Sequence, residues 1–82
     1  PGYPSAFDWS GYVDEYDAAN GVIIVNDRQF AVSGSARVHG PKGSAGVSSL
    51  RKGLPVGLKM RVEDERKVAT DFWIVPDPRT AN

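Results

Sequence analysis

Apolar and polar residues alternate with a period of two along much of the chain, which is the pattern of strands that bury one face. The clearest alternation covers residues 56–63, where every second side chain is large and apolar. Residues 7–16 and 68–75 repeat the pattern. Gly11 interrupts the apolar face of the first segment, and a glycine there predicts a bulge, a sharp bend or a close approach of another backbone.

The most apolar stretch is Val22–Val25, an uninterrupted run of β-branched residues. Such a run predicts a central strand that is covered on both faces. Asn26 and Asp27 follow it, and both residue types tolerate the positive φ that two-residue hairpin loops require. We therefore expect the chain to reverse at this point, with residues 28–32 forming the second strand of a hairpin.

Clusters of small and charged residues predict the remaining connections. We expect turns over residues 17–21 and 64–67, a break over 33–35 before a short strand at 36–39, and a mobile loop over 40–46. Residues 48–53 could form one helical turn, with a serine as its N-cap and Gly53 as its stop residue. Leu50 and Leu54 would then close one end of the core.

Five or six short strands without a long helix predict an all-β fold. We expect a small five- to six-stranded antiparallel OB-like barrel, that is, one of the oligonucleotide-binding type, with at most one short helical turn. The 82 residues suffice for one domain, which we place at residues 7–76 with flexible tails at 1–6 and 77–82. The chain has no cysteine, and no apolar run is long enough to predict membrane insertion.

The net charge is zero, but the charges are sorted along the chain. Residues 1–27 carry acidic side chains and no basic one, whereas residues 28–61 carry basic side chains and no acidic one. Acidic and basic strands could lie side by side and pair their outward side chains. Alternatively, the basic segment could form a face for an acidic protein or a nucleic-acid backbone.

The sequence contains no recognisable catalytic or metal-binding pattern. His39 is the only histidine, and without cysteine it supplies neither a nucleophile with its base nor a set of zinc ligands. The acidic residues 14–17 lack the spacing of a calcium loop, and the glycines around Lys42 lack the strand and helix of a phosphate loop. We therefore predict no enzymatic activity, no catalytic residue, no metal and no cofactor.

Two aromatic residues, Tyr12 and Trp73, lie on the polar side of their predicted strands. Exposed aromatic rings beside cations can anchor a protein contact or stack on nucleic-acid bases. The opposing interpretation is that Trp9 and Trp73 both belong to the core. The candidate partner-binding residues are Tyr12, Trp73, Arg28, Arg37, Lys59 and Arg61.

The order of the glycines and strand residues is similar to that of a known protein group. It runs through Gly11-Tyr12-Val13, Gly21-Val22-Ile23-Ile24-Val25-Asn26-Asp27, Phe30-Ala31-Val32, Val38-His39-Gly40, Ser49-Leu50-Arg51-Lys52-Gly53-Leu54-Pro55-Val56 and Phe72-Trp73-Ile74-Val75-Pro76. This order resembles small exported accessory proteins of type IV pilus biogenesis, encoded near the pilus-tip adhesin. It also resembles a broader group of uncharacterised bacterial β-barrel domains.

The resemblance covers about residues 7–76 and involves structural positions only. It implies a periplasmic, non-enzymatic protein that contacts another component of pilus assembly. Pro55 departs from the pattern and predicts an edge or entry position at the start of its strand. The alternative function is that of a single-stranded nucleic-acid-binding domain that uses the basic middle segment.

Overall fold

A computed structural model describes residues 4–41 and 43–77, and these residues form an all-β domain with a single 3₁₀ turn. The strands are β1 (Trp9–Asp17), β2 (Val22–Val25), β3 (Arg28–Gly40), β4 (Gly43–Gly46), β5 (Pro55–Glu63) and β6 (Arg66–Ile74), and the 3₁₀ turn is Val47–Ser49. The predicted fold class is confirmed. Residues 1–3 and 78–82 of the predicted tails lie outside the described residues, as does Lys42.

Five strands close into a barrel in the order β2-β1-β5-β6-β3, because β2 also pairs with β3, and β4 adds to β3 as an extra strand. Neighbouring strands are antiparallel except β3 and β6, which are parallel. The prediction of a purely antiparallel barrel was therefore wrong at one pairing. An odd number of strands in a closed ring cannot alternate in direction all the way round, so one neighbouring pair must be parallel.

The core fills the barrel and includes one side of β2. The buried apolar residues are Val13, Ile23, Val25, Phe30, Ala36, Val38, Leu50, Val56, Leu58, Val68, Ala69 and Phe72. In β2, Ile23 and Val25 are fully buried, whereas Val22 and Ile24 are half-buried on the outer surface. The strand is central, as predicted, but only one of its faces is in the core.

Two bulges change which side chains face inward. In β1, Val13 pairs with Val25 and Glu15 with Ile24, so Asp14 is an extra residue. In β6, the extra residue is Thr70. Strict alternation had placed Ala69 opposite the apolar face of β6, but the bulge turns it into the core.

The predicted hairpin turns are present. Asn26 and Asp27 have φ values of 48° and 67°, and Asp64 and Glu65 have 50° and 63°, as two-residue hairpin loops require. Gly11 lies against the side chain of Asn26, which leaves no space for a Cβ atom. The close approach at Gly11 is thus made by a side chain, where a backbone was predicted.

Three local predictions were wrong. Residues 33–35 do not interrupt β3, because Ser33 is buried and its hydroxyl donates a hydrogen bond to Glu63 at 3.0 Å. The segment expected as a mobile loop contains β4, which pairs with β3 through Gly40 and Gly43. The 3₁₀ turn has Gly46 at its N-cap rather than a serine. Leu50 does close the core, since it is 5% exposed.

Candidate functional site

Four of the predicted partner-binding residues lie on the outer surface of the strands β3, β6 and β5, which we call the β3–β6–β5 face. Arg37 and Lys59 both sit opposite Asp71, one on each neighbouring strand. Arg61 follows Lys59 by two residues and therefore points to the same side of β5. Trp73 lies two residues beyond Asp71 on β6. The sheet register thus brings three cations and an indole ring together.

An aromatic row crosses this face at Trp73. The His39 ring stacks on the indole with centroids 4.7 Å apart, and the Phe7 ring packs against it at 5.8 Å. Across the strands, Trp73 pairs with His39 on one side and with Gly57 on the other, and Phe7 covers Gly57. Rings therefore flank Trp73 on both sides, and the indole is half-buried.

Asp71 occupies the centre of the β3–β6–β5 face. Its carboxylate lies 3.0 Å from His39 Nε2 and accepts a hydrogen bond from Thr70 Oγ1 at 2.9 Å. Burial alone would raise the pKa of Asp71, but the hydrogen bonds from His39 and Thr70, with the positive charge of Arg61, outweigh it and lower the pKa. Asp71 is therefore ionised at neutral pH and already bonded.

The cations around Asp71 remain open to solvent. Arg37 and Arg61 are exposed, and Lys59 is half-buried. Among the described residues, the one contact within 4.0 Å between a basic and an acidic side chain joins His39 to Asp71, and it is an ion pair only when the imidazole is protonated. The acidic strand β1 does lie beside the basic strand β5, as one interpretation expected, but within the described residues no carboxylate forms an ion pair with a lysine or an arginine. The alternative, a basic face, fits the positions of these cations.

Tyr12 lies elsewhere, beside the end of the described chain. Its hydroxyl donates a hydrogen bond to Asp77 Oδ1 at 2.7 Å, and its backbone N–H donates to Asn26 Oδ1 at 2.8 Å. The ring borders a shallow apolar pocket of about 210 Å³ that Pro55 and Val75 also line. Tyr12 is half-buried and has no place on the β3–β6–β5 face.

Arg28 is also separate, because it lies over the aromatic rings of Trp9 and Phe30. It borders a pocket of about 370 Å³. Lys67, which the sequence did not single out, lines the same pocket.

The outer surface of β1, β2 and β3 carries acidic groups. Glu15 and Asp17 line a cleft of about 240 Å³ with Val22 and Ile24. Hydrogen bonds from Asn20 lower the pKa of Asp17, so this carboxylate is charged at neutral pH. Barrels of the oligonucleotide-binding type hold their ligand on the face of their second and third strands. In this chain the carboxylates would repel a phosphate backbone there.

Sequence reasoning missed His39, Asp71 and Phe7 as members of the site. The sequence shows His39 as a lone histidine without catalytic or metal-binding partners, and Asp71 as one polar residue in an alternating strand. Their proximity follows from the parallel pairing of β3 with β6, which places His39 opposite Trp73. Alternation along single strands contains no information about that pairing.

Within residues 4–41 and 43–77, no three histidine or acidic side chains lie close enough to hold a metal ion. The same residues contain no helix that is long and apolar enough to cross a membrane. No protein-family model, curated protein or solved structure matches the chain.

Proposed function

We propose that this domain is a non-enzymatic accessory protein that binds another protein, and that its partner is a component of type IV pilus assembly. The pilus role and a periplasmic location rest on the order of glycines and strand residues in the sequence. The binding mode rests on the β3–β6–β5 face.

The observation that carries the binding proposal is a rigid aromatic row beside exposed cations. Trp and Arg are enriched among the residues that dominate protein interfaces. Trp73 is held between His39 and Phe7, so a partner that docks beside it restricts little further motion. Arg37 and Arg61 are exposed on the same face, and both lie to one side of this row along the strands. A preorganised surface of this kind suits protein contact.

The charges of the face define the chemistry of the partner. Arg37, Lys59 and Arg61 contribute three positive charges, whereas the carboxylate of Asp71 already accepts hydrogen bonds from its neighbours. Complementary charges steer association and select the correct partner. We therefore propose an acidic surface on the pilus component.

Genetic complementation in the bacterium that encodes the chain tests both parts of the proposal. Deletion of the gene should reduce the number of surface pili counted by electron microscopy, and the wild-type gene should restore it. The double variant Arg37→Gln/Arg61→Gln should fail to restore pili. The control Arg51→Gln/Lys52→Gln also removes two exposed positive charges, outside the β3–β6–β5 face, and should restore them.

The possible outcomes separate the two claims. Normal piliation after deletion would contradict the pilus role. Full restoration by the Arg37→Gln/Arg61→Gln variant would contradict the binding face while leaving the pilus role in place. Circular dichroism of the purified variants verifies that both double variants fold.

One observation favours a second candidate, single-stranded nucleic-acid binding. Three of the four cations expected on a nucleic-acid face do lie together with Trp73, although Arg28 does not. Base stacking requires an accessible ring face, however, and His39 and Phe7 flank the indole of Trp73. Asp71 adds a negative charge at the centre of the face. Protein binding is therefore the better supported function.

Fluorescence titration with a labelled single-stranded oligonucleotide decides between the candidates. Nucleic-acid binding would give saturable affinity that falls steeply with added salt, because bound phosphates release counterions. The protein-binding proposal predicts no saturable binding at low salt.

A further inference from the structure

Strands β3 and β6 separate at one end of the barrel and leave an opening between them. Their pairing begins at Val32 and Ala69, whereas residues 28–31 of β3 pair with β2 on their other side. The pocket at this opening has a volume of about 370 Å³. Small-molecule sites commonly have volumes of about 300–1,000 Å³. The opening is therefore large enough for a small ligand.

Aromatic rings fix the guanidinium group of Arg28 at this pocket. Arg28 Cζ lies 4.9 Å from the centre of the Trp9 ring and 5.6 Å from that of the Phe30 ring. Trp9 is itself held, because its indole N–H donates a hydrogen bond to the Val25 carbonyl at 2.8 Å. Within the described part of the chain, Arg28 contacts no carboxylate. Its N–H groups are thus positioned and available.

The other walls combine a second cation with an apolar surface. Lys67 supplies the cation, and Phe30, Ala31 and Met60 supply the apolar part. Asp8 also lines the pocket, but its carboxylate accepts a hydrogen bond from the Met60 backbone N–H at 2.7 Å. The pocket therefore contains two positive charges and one carboxylate, and that carboxylate already accepts a hydrogen bond.

We propose that this pocket binds a carboxylate attached to an apolar group. The planar guanidinium of Arg28 can donate two parallel hydrogen bonds to a carboxylate, and Lys67 adds a second positive charge. The apolar group would lie on Ala31 and Met60, which are both half-buried and line the pocket. A fatty acid and the C-terminal residue of a peptide both have this chemistry. The site does not depend on the function proposed above, because Arg28 lies outside the β3–β6–β5 face.

Titration of the ¹⁵N-labelled domain, followed by NMR, tests the proposal with two pairs of probes. Octanoate and octanamide represent a fatty acid and its neutral analogue, and N-acetyl-phenylalanine and its amide represent a peptide end. A carboxylate probe should shift the Trp9 indole signal and the amide signals of Phe30, Ala31 and Met60, with a Kd of about 1 mM or tighter. Its neutral analogue should bind at least about tenfold more weakly. The carboxylate probe that binds more tightly shows whether the ligand is a fatty acid or the C-terminal residue of a peptide.

Variants of Arg28 separate a built site from general attraction to a cation. Arg28→Gln should weaken binding of the carboxylate by about tenfold or more. The affinity of Arg28→Lys should lie between those of the wild type and Arg28→Gln, because lysine keeps the charge but lacks the planar pair of donors. Lys52→Gln removes an exposed charge outside the pocket and should leave the affinity for the carboxylate unchanged. Equal binding of charged and neutral probes, or unchanged binding to Arg28→Lys and Arg28→Gln, would overturn the proposal.

Discussion

His39 Nε2 lies 3.0 Å from Asp71 Oδ1, and this contact joins the parallel strands β3 and β6 on the outside of the barrel. The side chains are only partly exposed, 34% for His39 and 22% for Asp71. The contact also orients the imidazole that stacks on Trp73. It therefore contributes both to the stability of the barrel and to the shape of the proposed binding face.

Asp71→Asn should lower the free energy of unfolding at neutral pH by about 1 kcal/mol. A hydrogen bond to a charged group contributes about 1.5–3 kcal/mol, and solvent reduces the contribution of this partly exposed contact. Because the pKa of Asp71 is lower in the folded chain than in the unfolded chain, its ionised form stabilises the fold above about pH 4. This stabilisation is lost as the pH falls through the folded-state pKa. The difference between wild type and variant should therefore disappear in acid.

Urea unfolding at a series of pH values measures this difference. Asp64→Asn, which changes a carboxylate in the exposed β5–β6 turn, is the matched control and should leave stability nearly unchanged. A difference for Asp71→Asn that stayed constant down to pH 2 would show that the charge of Asp71 is not the cause.

Gly57→Ala should destabilise the domain because Phe7 leaves no space for a side chain at this position. A Cβ atom on Gly57 would lie 2.5 Å from the Phe7 ring. Overpacking of this kind typically costs about 1–3 kcal/mol, measured by urea unfolding. Gly34→Ala is the control, since a Cβ atom there has no neighbour within 4 Å. Equal stability of the two variants would mean that Phe7 does not pack on the sheet.

The hairpin turns were predictable from sequence because local chemistry determines them. Asn26 and Asp27 adopt positive φ where residue type alone suggested it. The alternation in β5 likewise predicted that Val56 and Leu58 are buried. It failed at Val62, which is 70% exposed.

The proposed binding face was only partly predictable, because it depends on contacts between distant segments. The side-chain types of Arg37 and Lys59 identified them as candidates, but only the pairing of β6 with both neighbours places them around Asp71. Nothing in the local sequence indicates that Phe7 covers Gly57. β4 was missed because its glycines and serine are typical of loops.

Glu65→Gly should stabilise the domain by about 0.5–1 kcal/mol. Glu65 has a φ of 63°, which costs a residue with a side chain about 1–2 kcal/mol, and glycine avoids this strain at a smaller entropic cost. Thermal unfolding measures the effect as a higher Tm. Glu65→Val should lower the Tm, because a β-branched side chain is poorly tolerated there. A lower Tm for Glu65→Gly would contradict the turn geometry.

Photo-cross-linking inside the cells that produce the protein tests the proposed binding face most directly. A photoreactive amino acid at position 35 lies on β3 two residues before Arg37 and keeps every cation of the β3–β6–β5 face, and one at position 52 lies in an exposed turn outside it. We predict that the probe at position 35 forms a covalent product with an acidic pilus assembly protein, identified by mass spectrometry, and that the probe at position 52 does not. Equal products from both positions, or no pilus protein from position 35, would contradict the proposal.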